Sequence, residues 1–397
     1  MKNSVQATVQ IYLFALMISG YPKSLKNIAL FFGVTAYSLS RMLSHKLLGE
    51  ELDIALNRKV RQIIAAYFAK HQDVTAEIII DATLVERSSR KAENVGLYYS
   101  NGKQTWGHRI TNIGLLLDGA FYVPLAALAH YTRRYARSLR LSYLTEGMMV
   151  RRWLRNHMDG LIDLLAKGSI KPKDITFLLD AGYDNAKIQK SIIEVGCHFI
   201  MMVKNTRSIG GFQIKKYFLR HRHLAWKSVY FNKDQNGKNK RRKFRIRTAE
   251  NVHLAKVGLV SAICSEKAGG GRNKNKKTRR FLVTSRSELS GREILNHYAR
   301  RWKIETWHKK IKQDYGFNDC STSAFVSLEN HLKVSVLAYL SHLQNLKSLP
   351  TMGSTIDEYL EYSVRKQART TLRLINGGNQ FQGELRNCEE KIFGYAS

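Results

Sequence analysis

Three acids, Asp81, Asp180 and Glu305, stand where a chain would place them to hold metal ions. Asp81 directly follows Glu77-Ile78-Ile79-Ile80, and Asp180 directly follows Asp174 to Leu179. Both are short apolar runs of the kind found in strands buried on two faces. A carboxylate at a strand end is rigidly held, as a metal site requires. Hard cations such as Mg²⁺ take oxygen ligands, and two of them about 3.5–4 Å apart clamp the attacking and leaving oxygens of a phosphodiester. Either Asp taken alone is explained as well by a turn or a helix cap. Asp118, followed by Gly119, is explained entirely by a hairpin.

Glu305 changes the balance. Tyr298, Arg301, Glu305, His308 and Lys312 recur at helical spacing, and at about 100° per residue they share roughly an 80° arc of one face. A single carboxylate among phosphate-seeking donors is poor core design, but it suits a metal ligand flanked by groups that grip a nucleic-acid backbone. A solvated basic helix with an incidental Glu is the alternative. His308 is assigned to a phosphate or water contact, and Trp307, nearly opposite, to anchoring the helix.

The elements that must position these residues are legible in outline. The first seventy or so residues look helical. Within them, Ser24 to Leu43 places Ile28, Ala29 and Phe32 on one helix, a turn at Gly33-Val34, and Leu39 and Met42 on a second. This is helix-turn-helix spacing. The second helix would offer Tyr37, Ser38, Ser40 and Arg41 to a DNA groove, although any packed helical hairpin shows the same pattern. From Glu77 the pattern becomes strand, hairpin about Asp118-Gly119, helix (142–165), strand (174–179), helix (186–195) and strand (199–203). Asp184 is expected to cap the helix 186–195, and Lys204 and Arg207 are either DNA-facing or surface charge. Residues 205–279 are a β-rich insertion joined by the glycine- and lysine-rich linkers Asn236 to Lys243 and Gly269 to Lys277. Ser290-Gly-Arg-Glu293 is a capping box that starts one long helix. The resulting division is a helical domain (1–75), a core in two parts (76–204 and 280–345), the insertion (205–279) and a C-terminal helical region (346–397).

Composition narrows the partner. Against 31 Asp and Glu stand 65 Lys and Arg, a formal net charge of +34. Such a chain repels itself unless it meets a polyanion, of which nucleic acid is the commonest. A merely cationic protein is the alternative. The four cysteines, Cys197, Cys264, Cys320 and Cys388, form no C-x-x-C pair, which excludes the usual zinc spacings, argues against a disulfide framework and suits a reducing cytoplasm. The apolar run Val9 to Ile18 is too short to span a bilayer and lacks a cleavage signal, so it reads as a buried helix.

Tyr298, Arg301, Glu305 and Lys312 also spell Y-x2-R-x3-E-x6-K, which resembles the signature of bacterial insertion-sequence DDE transposases. Asp81-Ala82-Thr83 is similar to that family's D-x-T motif, and Asp180-Ala-Gly-Tyr183 to its second acidic motif. The likeness spans about residues 77–320. Ala82 departs from it, because many relatives carry a second acid there. The resemblance implies an α/β fold with a ribonuclease-H-like mixed-sheet core interrupted by a β-rich insertion, beside a helical N-terminal DNA-binding domain. It implies that Asp81, Asp180 and Glu305 hold two Mg²⁺ ions, with Mn²⁺ able to substitute, and that Tyr298, Arg301 and Lys312 hold phosphates. Trp226 would stack on a flipped base; an ordinary core or interface tryptophan is the alternative. The implied partner is double-stranded DNA, both element ends and target, bound by a homodimer in the nucleoid, with no membrane. A nuclease without strand transfer and a non-catalytic helix-turn-helix protein are the competing readings.

Overall fold

A computed structural model describes residues 3–17, 23–100, 102–233, 239–268 and 279–345. The expected C-terminal helical region 346–397, the linker Gly269 to Lys277, the first part of the linker Asn236 to Lys243, and Cys388 lie outside the described residues. In chain order the elements are α1 (Asn3–Met17), α2 (Leu25–Phe32), α3 (Ala36–Leu43), α4 (Lys46–Phe68), β1 (Ala76–Glu86), β2 (Gly96–Ser100), β3 (Lys103–Leu117) and β4 (Phe121–Ala129). There follow α5 (Arg133–Ser138), α6 (Glu146–Ala166), β5 (Ile175–Leu179), α7 (Ala186–Glu194), β6 (His198–Val203), β7 (Ser208–Ile209), β8 (Phe212–Gln213) and α8 (Ile214–Arg220). The chain continues through β9 (Lys227–Lys233), β10 (Asn239–Leu254), β11 (Gly258–Ala268), β12 (Arg279–Thr284), α9 (Gly291–Arg300), α10 (Trp302–Asp314) and α11 (Phe325–Asn345). No helix among the described residues is long and apolar enough to cross a membrane.

The chain divides into two compact units. Among the described residues, one comprises those up to Ala66, those of Leu84–Arg109 and those from His308 onward. Its N-terminal helices pack on α11, with the Tyr12 hydroxyl hydrogen-bonded to His331 Nδ1 at 2.6 Å and Asn330 Nδ2 donating to the Leu43 carbonyl at 2.7 Å. Within it, α2 and α3 are each set by a capping side chain, Ser24 and Thr35. Gly33 closes α2 at φ 63°, a left-handed conformation that favours glycine. Leu39 and Met42 are buried, while Tyr37 and Arg41 are exposed.

The second unit comprises Tyr67–Thr83 and Ile110–Trp307. Its sheet is mixed. β1 pairs parallel with β5 and β5 parallel with β6, whereas β6–β12, β12–β11 and β11–β10 are antiparallel. On the other side of β1 lies β3, to which β4 pairs antiparallel. The expected β-rich insertion therefore extends the sheet beyond β6. The central strands Ile175–Leu179 are buried throughout, as an apolar run flanked by helices requires.

Asp118-Gly119 makes the hairpin as its sequence dictates, at φ 52° and 65°. The Asp118 carboxylate does more than shape the turn. It accepts from the Tyr67 hydroxyl at 2.7 Å and from the Thr75 backbone N–H at 2.9 Å. Asp118→Ala is therefore expected to lower unfolding stability by about 1–2 kcal/mol through the loss of these hydrogen bonds and the weaker one from the Thr75 hydroxyl, with DNA cleavage unchanged; thermal denaturation beside a nicking assay checks both halves.

Two expectations fail locally. The cap of α7 is Asn185, whose side chain accepts from the Lys187 N–H, rather than Asp184. The Asp184 carboxylate instead accepts from the Lys204 N–H at 3.0 Å and lies 3.6 Å from Arg207 Nε. Arg207 also donates to Gln189 and to the Ala255 carbonyl. A guanidinium held in this way by Asp184, Gln189 and the Ala255 carbonyl braces the unit.

Candidate active site

Parallel pairing brings the two aspartates together. The β1–β5 ladder runs from Ala76↔Ile175 to Ile80↔Leu179, so Asp81 and Asp180 are the next residues on adjacent strands. There the strands part: β5 ends, and Asp180 caps a 3-10 turn at Ala181–Tyr183, its Oδ1 accepting from the Gly182 N–H at 2.8 Å. A Cβ at Gly182 would come within 2.9 Å of that same oxygen, so the motif needs a glycine there. β1 does not end at Asp81, as the sequence pattern suggested, but continues to Glu86. Asp81 to Leu84 are half-buried, which an apolar run does not report.

The capping box forms as expected, with Ser290 and Glu293 bonded reciprocally. The helix it starts is interrupted, however. At Arg301 the backbone tightens to three-residue bonds, from Arg301 N–H to the Tyr298 carbonyl and from Ile304 N–H to the Arg301 carbonyl. Arg301 then reaches both acids: Nη1 donates to Asp81 Oδ2 at 3.2 Å and Nη2 to Glu305 Oε1 at 2.5 Å. Burial pushes the Asp81 carboxyl up to about 6; Arg301 opposes this, and the charges of Asp180 and Glu305 add to it. Burial likewise raises the Tyr298 hydroxyl to about 12, with the Arg301 guanidinium 5.9 Å from its ring.

Behind these side chains lies a buried ion cluster that the sequence reading missed. Glu77, also on β1, is 2% exposed. It accepts from His297 Nδ1 at 2.5 Å and from Arg300 Nη1 at 3.1 Å, both on α9. Glu77 and Asp81 are four residues apart on one strand and so face the same side of the sheet. The cluster thus fixes α9 against β1 beside Tyr298 and Arg301. The signal was an acid at the head of a run of isoleucines, because a buried carboxylate demands partners. A second buried set joins His130 Nε2 to Thr111 Oγ1 at 2.7 Å and Thr111 to the Tyr183 hydroxyl at 3.4 Å. It braces the turn that carries Asp180.

The remaining sequence candidates are dispersed. Lys312 belongs to the first unit, where its Nζ donates to the Leu84 carbonyl at 2.8 Å and burial lowers its pKa. His308 is buried in that unit. Trp307 is buried and lies against Tyr122, ring centroids 5.4 Å apart, in keeping with an anchor. Tyr37 and Arg41 lie on the exposed side of α3. Trp226 precedes β9 and is half-buried, with the guanidiniums of Arg247, Arg245 and Arg279 at 4.6, 5.0 and 5.7 Å from its ring.

Among the described residues, no three His, Cys, Asp or Glu side chains are grouped tightly enough to hold a metal ion. The donor chemistry nonetheless fits a hard divalent cation. Asp81 and Glu305 direct oxygens at one shared positive group, the Arg301 guanidinium, and Asp180 emerges beside Asp81.

A family model described as a DDE superfamily endonuclease matches residues 2–211, more than half of the chain. One described as a transposase DDE domain matches residues 154–341. Among solved structures, the cryo-EM structure of the piggyBac transposase synaptic complex with hairpin DNA is similar in fold at a TM-score of 0.50. The two are 10% identical, and the match covers 100% of this chain and 77% of that one. No curated protein matches.

Proposed function

The chain belongs to the DDE superfamily endonucleases, and on that premise we propose how its residues divide the work of a transposase. It is a DDE-type DNA transposase, and its superfamily generally uses divalent metal ions. In our reading it is of the bacterial insertion-sequence kind, with a ribonuclease-H-like core carrying Asp81, Asp180 and Glu305 as metal ligands. Mg²⁺ is the natural ion, two per site, with Mn²⁺ able to replace it. The observation that carries this reading is the parallel register that sets Asp81 beside Asp180, together with Glu305 sharing a cation with Asp81.

When bound, the two ions polarise the scissile phosphate and supply a nucleophile at neutral pH. The residues of the chain do the rest. Asp81 and Asp180, fixed on adjacent strands, set the position at which the phosphodiester must lie. Arg301 has five N–H donors, and two of its nitrogens face carboxylates, so other donors remain for a phosphate oxygen. Tyr298 presents a hydroxyl that stays protonated at neutral pH. Lys312 holds a backbone phosphate, and Trp226 stacks on an unpaired base. Water first cuts the strand at the end of the element, and the freed 3′-hydroxyl then attacks target DNA. The helices of residues 1–75, with Tyr37 and Arg41 foremost, recognise the element ends. The protein acts as a homodimer on double-stranded DNA in the nucleoid.

The test is a pair of assays with Mg²⁺. Purified protein should nick a plasmid carrying the element ends, and it should join pre-cut ends to a second plasmid. Nicking without joining would make it a nuclease. Binding with neither reaction would make it a non-catalytic DNA-binding protein.

A further inference from the structure

The surroundings of Trp226 carry more than a stacking platform. In the β10–β11–β12 ladder Arg245 lies opposite Glu266 and Glu266 opposite Arg279. One step along the same face Arg247 lies opposite Cys264 and Cys264 opposite Phe281. Cys264 and Phe281 are buried, and the Phe218 ring stacks on Phe281 at 6.0 Å. Trp226 therefore sits where the apolar side of this face gives way to a row of arginines, and all three guanidiniums approach its ring within 6 Å.

Charge does not balance there. Glu266, only 4% exposed, pairs with Arg245 at 3.5 Å and with Arg279 at 3.4 Å. Arg247 instead donates one N–H to the Phe218 carbonyl at 3.1 Å. Three guanidiniums against this one carboxylate leave two positive charges in excess on a fixed sheet surface. A guanidinium stacked on an indole keeps its N–H edge in the plane of its own fork, the geometry that takes phosphate oxygens two at a time.

We propose that Arg245, Arg247 and Arg279, roofed by Trp226, form one phosphate-binding site for a backbone phosphodiester of DNA, separate from the acid site. The proposal rests on the transposase reading for its ligand. The site holds a strand in the insertion whether or not metal is bound at Asp81.

A salt titration of DNA binding in EDTA, by fluorescence anisotropy of a labelled duplex, tests it. The logarithm of affinity falls with the logarithm of salt by about 0.9 for each phosphate neutralised. One shared phosphate predicts that the double variant Arg245→Gln/Arg279→Gln loses about one unit of slope. Two independent surface charges predict about two, and that result, or no change at all, overturns the proposal. Glu266→Gln, which removes the opposing charge, should tighten binding, and unchanged or weaker binding with an intact fold counts against the site. If the glutamine pair fails to fold by thermal denaturation, Arg245→Lys/Arg279→Lys replaces it. That pair keeps the charge but loses the fork, so the expected result is about tenfold weaker binding at wild-type slope; unchanged affinity overturns the proposal. Cleavage of the same DNA with Mg²⁺ separates the two readings. Wild-type protein that does not cut, while the double variant loses one unit of slope, sinks the transposase reading and keeps the phosphate site. Normal cutting with an unchanged slope does the opposite.

Discussion

Asp81→Asn is expected to abolish DNA cleavage and, in the same protein, to raise the melting temperature of the metal-free enzyme at pH 8. The two effects share a cause. Burial and the neighbouring acids raise the Asp81 carboxyl from 3.8 to about 6 in the fold. A group whose folded pKa lies above its unfolded value gives stability that is full below the unfolded pKa and is lost as pH rises through the folded one. At pH 8 the metal-free fold thus holds Asp81 ionised at a cost of up to about 3 kcal/mol, at 1.36 kcal/mol per pH unit. Asparagine removes that cost, and Arg301 keeps its bond to Glu305. Asparagine also removes a ligand charge, and the cleavage rate should fall at least about a thousandfold, roughly 4 kcal/mol of transition-state stabilisation. Differential scanning calorimetry in EDTA at pH 4 and pH 8, with a nicking assay in Mg²⁺, reads both. Wild type and variant should converge in stability toward pH 4. A variant less stable than wild type at pH 8 would mean that the ion pair with Arg301 outweighs burial.

How far the sequence revealed this site depended on the range of the interaction involved. Local chemistry was legible: the isoleucine run before Asp81, the Asp118-Gly119 hairpin and the Ser290–Glu293 box all form as their residue types dictate. The parallel pairing that sets Asp81 beside Asp180 was not legible, because β2, β3, β4, α5 and α6 lie between the two strands in the chain. What the sequence hid were pairings between distant residues. Glu77 reads as a blemish in a strand until His297 and Arg300, more than two hundred residues later, are seen against it. Asp184 looks like a helix cap because its partners, Lys204 and Arg207, lie across a whole helix and strand. The continuation of β1 past Asp81 was invisible because half-buried positions leave no alternation to read. The tightening at Arg301 was invisible because neither proline nor glycine marks it.

Arg301→Gln and Glu305→Asp are expected to shift the metal requirement of cleavage in opposite directions. Arg301 places one positive charge against Asp81 and Glu305 together, so a cation that binds these oxygens must share them with the guanidinium. A charge-assisted contact of this kind contributes about 1.5–3 kcal/mol. Removing the guanidinium should therefore lower the half-saturating Mn²⁺ concentration about tenfold or more. The same variant should cleave more slowly, because a donor to the phosphate is gone. Glu305→Asp keeps the charge but withdraws the oxygen by one methylene, and its metal midpoint should rise about ten- to a hundredfold. Lys312→Ala supplies the control. Its ammonium donates to the Leu84 carbonyl, and an ammonium cannot itself be a metal ligand. Its loss should slow cleavage without moving the midpoint. Calorimetric Mn²⁺ titration of each purified variant, beside cleavage rates over a Mn²⁺ series, measures binding apart from turnover. A midpoint that rises in Arg301→Gln would show that the arginine orients the two carboxylates for the ion and does not compete with it. A midpoint that moves in Lys312→Ala would show that this lysine positions the groups that hold the metal.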